Sequence, residues 1–204
     1  MKAIIIDDHP LAITAIRNLL RKHSVEIVAE LSDGSQAVQS MEKLQPDIMI
    51  IDVDIPGHNG IQVLEMLRKR HYTGIIIIVS AKNDYFYGRY SAEAGANGFV
   101  SKKEGVNNII AAIEAARNGY SYFPFSMERF TGRLTSDQQK LDSLSRQEIT
   151  VLRFILDGDD NNAIAEKMFI SNKTVSTYKS RLMDKLQCKS LMSLFTFAQN
   201  NKIW

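Results

Sequence analysis

The feature that most constrains this chain is the run Ile48-Met49-Ile50-Ile51, which stops abruptly at Asp52 and gives way to Val53-Asp54-Ile55-Pro56-Gly57. Four consecutive apolar residues bounded by polar and turn residues suit a strand buried on both faces, and such strands belong to parallel sheets covered by helices. Ligand sites in those sheets lie outside the carboxyl ends of the strands. Asp52 is therefore expected at a rim where a site can form.

The surrounding sequence supplies the rest of such a sheet. Strand-like runs cover Lys2 to Ile6, Val25 to Leu31, Ile75 to Val79 and Phe99 to Ser101, and Ile75 to Val79 is entirely β-branched, which favours a strand. Helical periodicity separates them. Pro10 opens a helix carrying Ile13, Ile16 and Leu20, proline being tolerated at a first helical position. Ser35 to Leu44 forms a second, ended by Pro46. Gly57 to Gly60 turns into a third with Ile61, Leu64 and Leu67 near one face. Asp84 to Ala94 and Asn107 to Asn118 complete the set, with Gly119 as the last stop. Five strands alternating with five helices predict an α/β, flavodoxin-like doubly wound (βα)5 domain over residues 1–120.

In that architecture Asp7-Asp8, Asp52, Ser80 and Lys102 fall at the ends of the first, third, fourth and fifth strands, on one rim. Three carboxylates gathered there make a hard-oxygen site suited to Mg²⁺, which keeps several waters and takes one or two carboxylates plus substrate phosphate. A lysine and a hydroxyl opposite them complete a phosphoryl cradle. Each part has a plainer explanation: an acid pair at a helix start suits the helix dipole, and Ser80 or Lys102 alone would be a solvated loop residue. The required residue type at every strand end is what points to a site.

Residues 121–140 read as a linker, although Tyr120-Ser121-Tyr122-Phe123-Pro124-Phe125 is too aromatic for a free tether and is expected to pack on a domain. Residues 141–204 read as a second, all-α domain. Ser145-Arg146-Gln147-Glu148 has the pattern of a capping box and opens a helix through Ile149, Leu152, Phe154 and Ile155. A short helix covers Asn162 to Met168, Phe169-Ile170-Ser171 turns, and a third helix carries Val175, Leu182, Met183 and Leu186. Ser190 opens a fourth. Two helices joined by a tight turn, the second basic on its outer face, make a helix-turn-helix.

Net charge, only +2, gives no global argument for a nucleic-acid partner; its distribution does. Residues 171–189 place Lys173, Lys179, Arg181, Lys185 and Lys189 against Asp184 alone. On the outer face Lys173, Ser176, Thr177 and Ser180 are expected to reach base edges in double-stranded DNA. Lys179, Arg181, Lys185 and Lys189 are expected at phosphates, giving affinity more than sequence choice. Tyr178 is either a phosphate contact or a half-exposed packing residue. The apolar run Ala3 to Ile6 is too short for a signal peptide or a membrane span, so a cytoplasmic protein without a membrane partner is expected. The single cysteine, Cys188, excludes an intrachain disulfide or a cysteine zinc site and is expected to be a small buried residue.

Residues 1–120 resemble a two-component receiver domain, through Ile6-Asp7-Asp8-His9, Ile51 to Gly60, Val79-Ser80-Ala81 and Gly98-Phe99-Val100-Ser101-Lys102. The resemblance implies that Asp52 accepts a phosphoryl group from a sensor histidine kinase or a phosphotransfer domain. It implies that Asp8, Asp52 and the backbone carbonyl of Asp54 bind Mg²⁺ with help from Asp7, and that Lys102 and Ser80 contact the phosphoryl oxygens. Phe99 stands where the family carries its switch aromatic, commonly tyrosine; a plain core aromatic is the alternative. Lys103 replaces a frequent proline, which leaves the isomer of the Lys102–Lys103 peptide open.

Residues 144–188, with Leu144-Ser145-Arg146-Gln147-Glu148, Ile164-Ala165, Ile170 to Val175 and Lys185-Leu186, resemble the LuxR-type DNA-binding domain. The whole chain is thus similar to NarL/FixJ-family response regulators. That implies a homodimer on paired half-sites, with RNA polymerase as a further partner, and no enzyme. Tyr178 and Lys179 stand where the family often has histidine and arginine, so base contacts do not transfer in detail. Two other classes compete. Asp52-Val53-Asp54 resembles the nucleophile pair of haloacid-dehalogenase-like phosphatases, but Pro56 and the position of this strand in the order argue against it. A module that binds protein or RNA would lack steeply salt-dependent duplex binding.

Overall fold

In the computed structural model, which describes residues 1–123 and 135–203, the run that ends in Asp52 is a central strand. The strands are β1 (Lys2–Ile6), β2 (Glu26–Leu31), β3 (Ile48–Asp52), β4 (Ile75–Ser80) and β5 (Gly98–Ser101). They form one sheet in the order β2-β1-β3-β4-β5, every neighbouring pair parallel. Parallel pairing requires crossovers, supplied by α1 (Pro10–Lys22), α2 (Ala37–Leu44), α3 (Gly60–Lys69), α4 (Asp84–Ala94) and α5 (Asn108–Arg117). The chain steps outward from β1 to β2, then returns to β3 on the other side of β1. The strand order therefore reverses between β1 and β3, where such sheets open a crevice at their carboxyl ends.

All five residues of β3 are buried. On one sheet face Ala3, Ile5, Ile48, Ile50, Ile77 and Val79 pack with Ile16 and Leu20 of α1 and with Ile109, Ala112 and Ile113 of α5. The alternate residues Ile4, Ile6, Met49, Ile51, Ile76, Ile78 and Phe99 are equally buried, as a strand covered on both faces requires. The two edges differ. β2 stays half-exposed, whereas β5 is covered by Tyr122, whose amide donates to the Asn97 carbonyl (3.0 Å) and whose carbonyl accepts from the Phe99 amide (2.8 Å).

The stretch expected as a linker, 121–140, is thus structured at its start: Tyr122 packs on the core, although Tyr120 is exposed. It is structured at its end too. Thr135 and Gln138 form a capping box that opens α6 (Ser136–Asp142), a helix absent from the sequence reading. Residues 124–134, including Pro124 and Phe125, lie outside the described residues.

The chain divides into two units, Met1–Phe125 and Ser126–Trp204. In the second, α6 is followed by α7 (Arg146–Leu156), α8 (Asn161–Met168), α9 (Asn172–Leu186) and α10 (Leu191–Asn200), so the four expected helices are preceded by one more. Each start is capped by a side chain: Thr135, Ser145, Asp160, Ser171 and Ser190 accept from backbone amides of the first turn. Leu152, Ile164, Val175, Leu182, Leu186 and Leu194 form the interior, and Cys188 is buried as expected. α6 belongs to this unit: Leu141 is buried, Asn201 donates to Asp137 (3.0 Å) and the Lys140 ammonium lies over the Phe197 ring. Among the described residues no helix is long and apolar enough to cross a membrane.

Candidate functional site

Asp7 ends β1 side by side with Asp52 at the tip of β3, and both carboxylates are almost fully buried. The Lys102 ammonium, projecting from the turn after β5, lies 2.7 Å from Asp7 and 3.0 Å from Asp52. Burial pushes the Asp52 carboxyl above its usual range; Lys102 pulls it back, and Asp7 adds to the rise. Burial also opposes the charge on Lys102, but Asp52 and Asp7 outweigh it and hold the ammonium more firmly protonated than usual. The bridge thus opposes the effect of burial and favours the charged form of the Asp52 carboxylate.

Asp8 sits higher and more exposed, its carboxylate 2.7 Å from Nδ1 of His9. Oxygens or nitrogens from Asp7, Asp8, His9 and Asp52 lie within 4.8 Å of one another. Three carboxylates against the Lys102 ammonium leave two negative charges before His9 is counted, and hard oxygens with that excess fit a divalent cation such as Mg²⁺. A cleft of about 320 Å³ opens over Asp52, walled by His9, Asp54, Ser80, Lys82 and Lys102. Ser80 is fully buried at the end of β4, its hydroxyl accepting from the Lys82 amide (3.0 Å).

The loop after β3 is held tightly beneath the cleft. The Gly60 amide donates to the Val53 carbonyl (3.0 Å) and the Gly34 amide to the Pro56 carbonyl (3.0 Å). A Cβ at Gly60 would run into the Asp52 carbonyl oxygen, and one at Gly34 into that of His58. Backbone cannot yield cheaply there. Gly60→Ala is expected to cost about 2 kcal/mol by overpacking, read by denaturation; an unperturbed protein would show that the loop is free to shift.

The rim thus brings together Asp7, Asp8, Asp52, Ser80 and Lys102. Asp54 is different: its carboxylate is largely exposed and pairs with Lys82 Nζ (3.0 Å), which removes it from the general acid role a phosphatase would need. Phe99 is completely buried. The Lys102–Lys103 peptide is trans, and the Lys103 ammonium donates to the Lys82 carbonyl (2.8 Å). The sequence assigns His9 and Lys82 no role at this rim, and it singles out Lys103 only for the isomer of its peptide bond. The adjacency of His9 to Asp7-Asp8 was the one available signal.

In the second unit α9 presents Lys173, Ser176, Thr177, Ser180 and Arg181 to solvent, positions that share a face at about 3.6 residues per turn. The Ser176 hydroxyl accepts from Asn161 of α8 (3.2 Å), and Thr177 donates to the Lys173 carbonyl (3.0 Å). Tyr178 and Lys179 are half-buried on the flanks, and Lys189 is exposed beyond the helix end. Lys185 has a second engagement that the sequence did not show. Its ammonium donates to Glu148 (2.7 Å) and to the Ser143 carbonyl (2.8 Å), which ties α9 to α7.

Residues 3–114 match the response regulator receiver domain, and residues 142–198 match the bacterial regulatory proteins of the luxR family. The chain belongs to the two-component response regulators that join a receiver to a LuxR-type DNA-binding domain. It is 79% identical over 203 residues to the DNA-binding transcriptional activator EvgA of Escherichia coli K12, covering 100% of both chains. It is 35% identical over 205 residues to the transcription regulator BvgA of Bordetella pertussis, covering 99% of this chain and 98% of the other. RcsB from Salmonella enterica serovar Typhimurium, bound to promoter rprA in the presence of the phosphomimetic BeF3-, matches with a TM-score of 0.80 at 25% identity over 98% of each chain. A second RcsB structure, of two dimers bound to two parallel DNAs, matches with a TM-score of 0.62 at 26% identity over 98% of each. Regulators of this kind are not enzymes, so the phosphatase alternative falls.

Proposed function

We propose that Asp52 is the phosphoacceptor and that its phosphorylation governs DNA binding through α9. The observation that carries this is the Lys102 ammonium bridging Asp7 and Asp52 at the base of an open cleft. A carboxylate oxygen of Asp52 attacks the phosphorus of a phosphohistidine on a kinase or phosphotransfer domain; the O–P bond forms as the P–N bond breaks, and the electron pair leaves with the imidazole. Mg²⁺, held by Asp7, Asp8, Asp52 and the backbone carbonyl of Asp54, would shield the developing charge and orient the phosphoryl oxygens. Lys102 needs to move little: its partner changes from a carboxylate oxygen to a phosphoryl oxygen on the same residue. Ser80 donates its hydroxyl to a second phosphoryl oxygen and breaks its bond to the Lys82 amide in doing so. Phe99, buried beneath the same strand ends, reports that shift by repacking.

In the second unit Lys173, Ser176, Thr177 and Ser180 read base edges in a major groove, while Arg181, Lys189 and the half-buried Lys179 and Tyr178 meet the backbone. The protein acts as a cytoplasmic homodimer on paired half-sites, RNA polymerase being the further partner of a bound activator; the RcsB dimers bound to DNA support the dimeric part of this reading. Acetyl phosphate with Mg²⁺ should raise both dimer content and duplex affinity, followed by sedimentation and fluorescence anisotropy. Equal dimer content and affinity with and without the donor would remove the coupling between the two units.

A further inference from the structure

Phe169 is the most exposed large apolar side chain among the described residues, 95% open to solvent. It also holds a left-handed backbone, φ 55°, at the C-terminal cap of α8. Glycine or asparagine fits that conformation without the clash that a bulky side chain meets. The left-handed cap closes α8, but a phenylalanine there carries backbone strain that glycine or asparagine would avoid, and its exposed ring returns nothing to the fold. A bulky apolar ring kept at a strained, fully exposed cap is what sets this position apart.

The surroundings say what the ring faces. The turn is rigid: the amides of Phe169 and Ile170 donate to the carbonyls of Glu166 (3.1 Å) and Ala165 (3.0 Å). Ser171 caps the next helix through the Thr174 amide (3.1 Å), Asn172 donates to Asn162 and Asn161 to Ser176. Phe169 is thus fixed two residues before the cap of α9 and four before Lys173, continuous with the face assigned to DNA. A ring without hydrogen-bonding groups can meet a duplex only at apolar atoms. At the edge of a major groove these are the thymine C5-methyl group and the carbons of deoxyribose.

We propose that Phe169 is a DNA-contacting residue that packs against a thymine methyl or a sugar at the rim of the groove entered by α9. This rests on the reading of α9 as the recognition helix. Full-length Phe169→Asn, phosphorylated with acetyl phosphate, would be titrated by anisotropy against a duplex selected from a random pool by the wild type. Affinity should fall about tenfold with the slope against salt unchanged, because no phosphate contact is lost. The same variant should melt higher in its C-terminal transition by roughly 2–5 °C through relief of strain, which separates lost binding from lost folding. Once Phe169→Asn has been shown to weaken binding, replacing thymines by uracil assigns the contact to the methyl if it reproduces the loss and to the sugar if it does not. If Phe169→Asn binds as the wild type while Lys173→Ala and Thr177→Ala weaken binding, the inference is overturned and the recognition helix stands. If none of the three weakens binding, the helix assignment falls with it. Unchanged duplex affinity with reduced transcription would assign the ring to a protein instead and overturn the proposal.

Discussion

Asp52→Asn is expected to take up no phosphoryl group from acetyl phosphate and Mg²⁺, where the wild type takes up one per chain. Asparagine keeps the shape of the side chain but replaces the attacking oxyanion by an amide. The fold should survive, because Lys102 retains Asp7 at 2.7 Å and a buried carboxylate that burial already disfavours is removed. Intact-mass measurement would show a single adduct in one protein and none in the other. The variant's duplex affinity should then be indifferent to the donor. Equal uptake by both proteins, or an adduct mapped to Asp8 or Asp54, would take the phosphoacceptor role away from Asp52.

The largest effect on stability is expected at Glu148. Its buried carboxylate accepts from Lys185 Nζ (2.7 Å) and from the Ser145 amide (2.7 Å), joining α7, its own cap and α9. Glu148→Ala leaves the Ser145 amide without its acceptor and takes one of two partners from the half-exposed Lys185 ammonium, which keeps the Ser143 carbonyl, at a cost of about 1–3 kcal/mol. The C-terminal transition should drop accordingly in denaturant, with the receiver transition unmoved. Burial pushes the Glu148 carboxyl up, but the bonds from Lys185 and Ser145 outweigh it and hold it below the usual range. A lowered folded value contributes stability above the ordinary carboxylate range that is lost as the pH falls through the lowered one. The wild type should therefore lose C-terminal stability on acidification more steeply than Glu148→Gln; parallel profiles would show that Lys185 is not its partner.

The receiver was legible because its central strands β1, β3 and β4 are apolar runs and its chemistry sits at strand ends: Asp7, Asp52, Ser80 and Lys102 need only the topology to meet. What the sequence did not reveal depends on contacts distant along the chain. Lys185 looks like any other cation of the basic stripe, and only the approach of α7 makes it a clamp. α6 escaped notice because six of its seven residues are polar and its one apolar anchor, Leu141, gives no period. The isomer of Lys102–Lys103 likewise had no local signature. The role of Asp54's carboxylate, turned aside by Lys82, follows from a partner twenty-eight positions away.

The capping pattern of the second unit bears on how such proteins diversify. Every helix from α6 to α10 begins on a hydroxyl or carboxylate within three residues of the amide it satisfies. Start signals of that range travel with the segment that contains them, whatever chain lies upstream. Residues 135–203 thus carry their own start signals, and a chimera joining them to an unrelated sensor module should inherit all five helix starts unchanged.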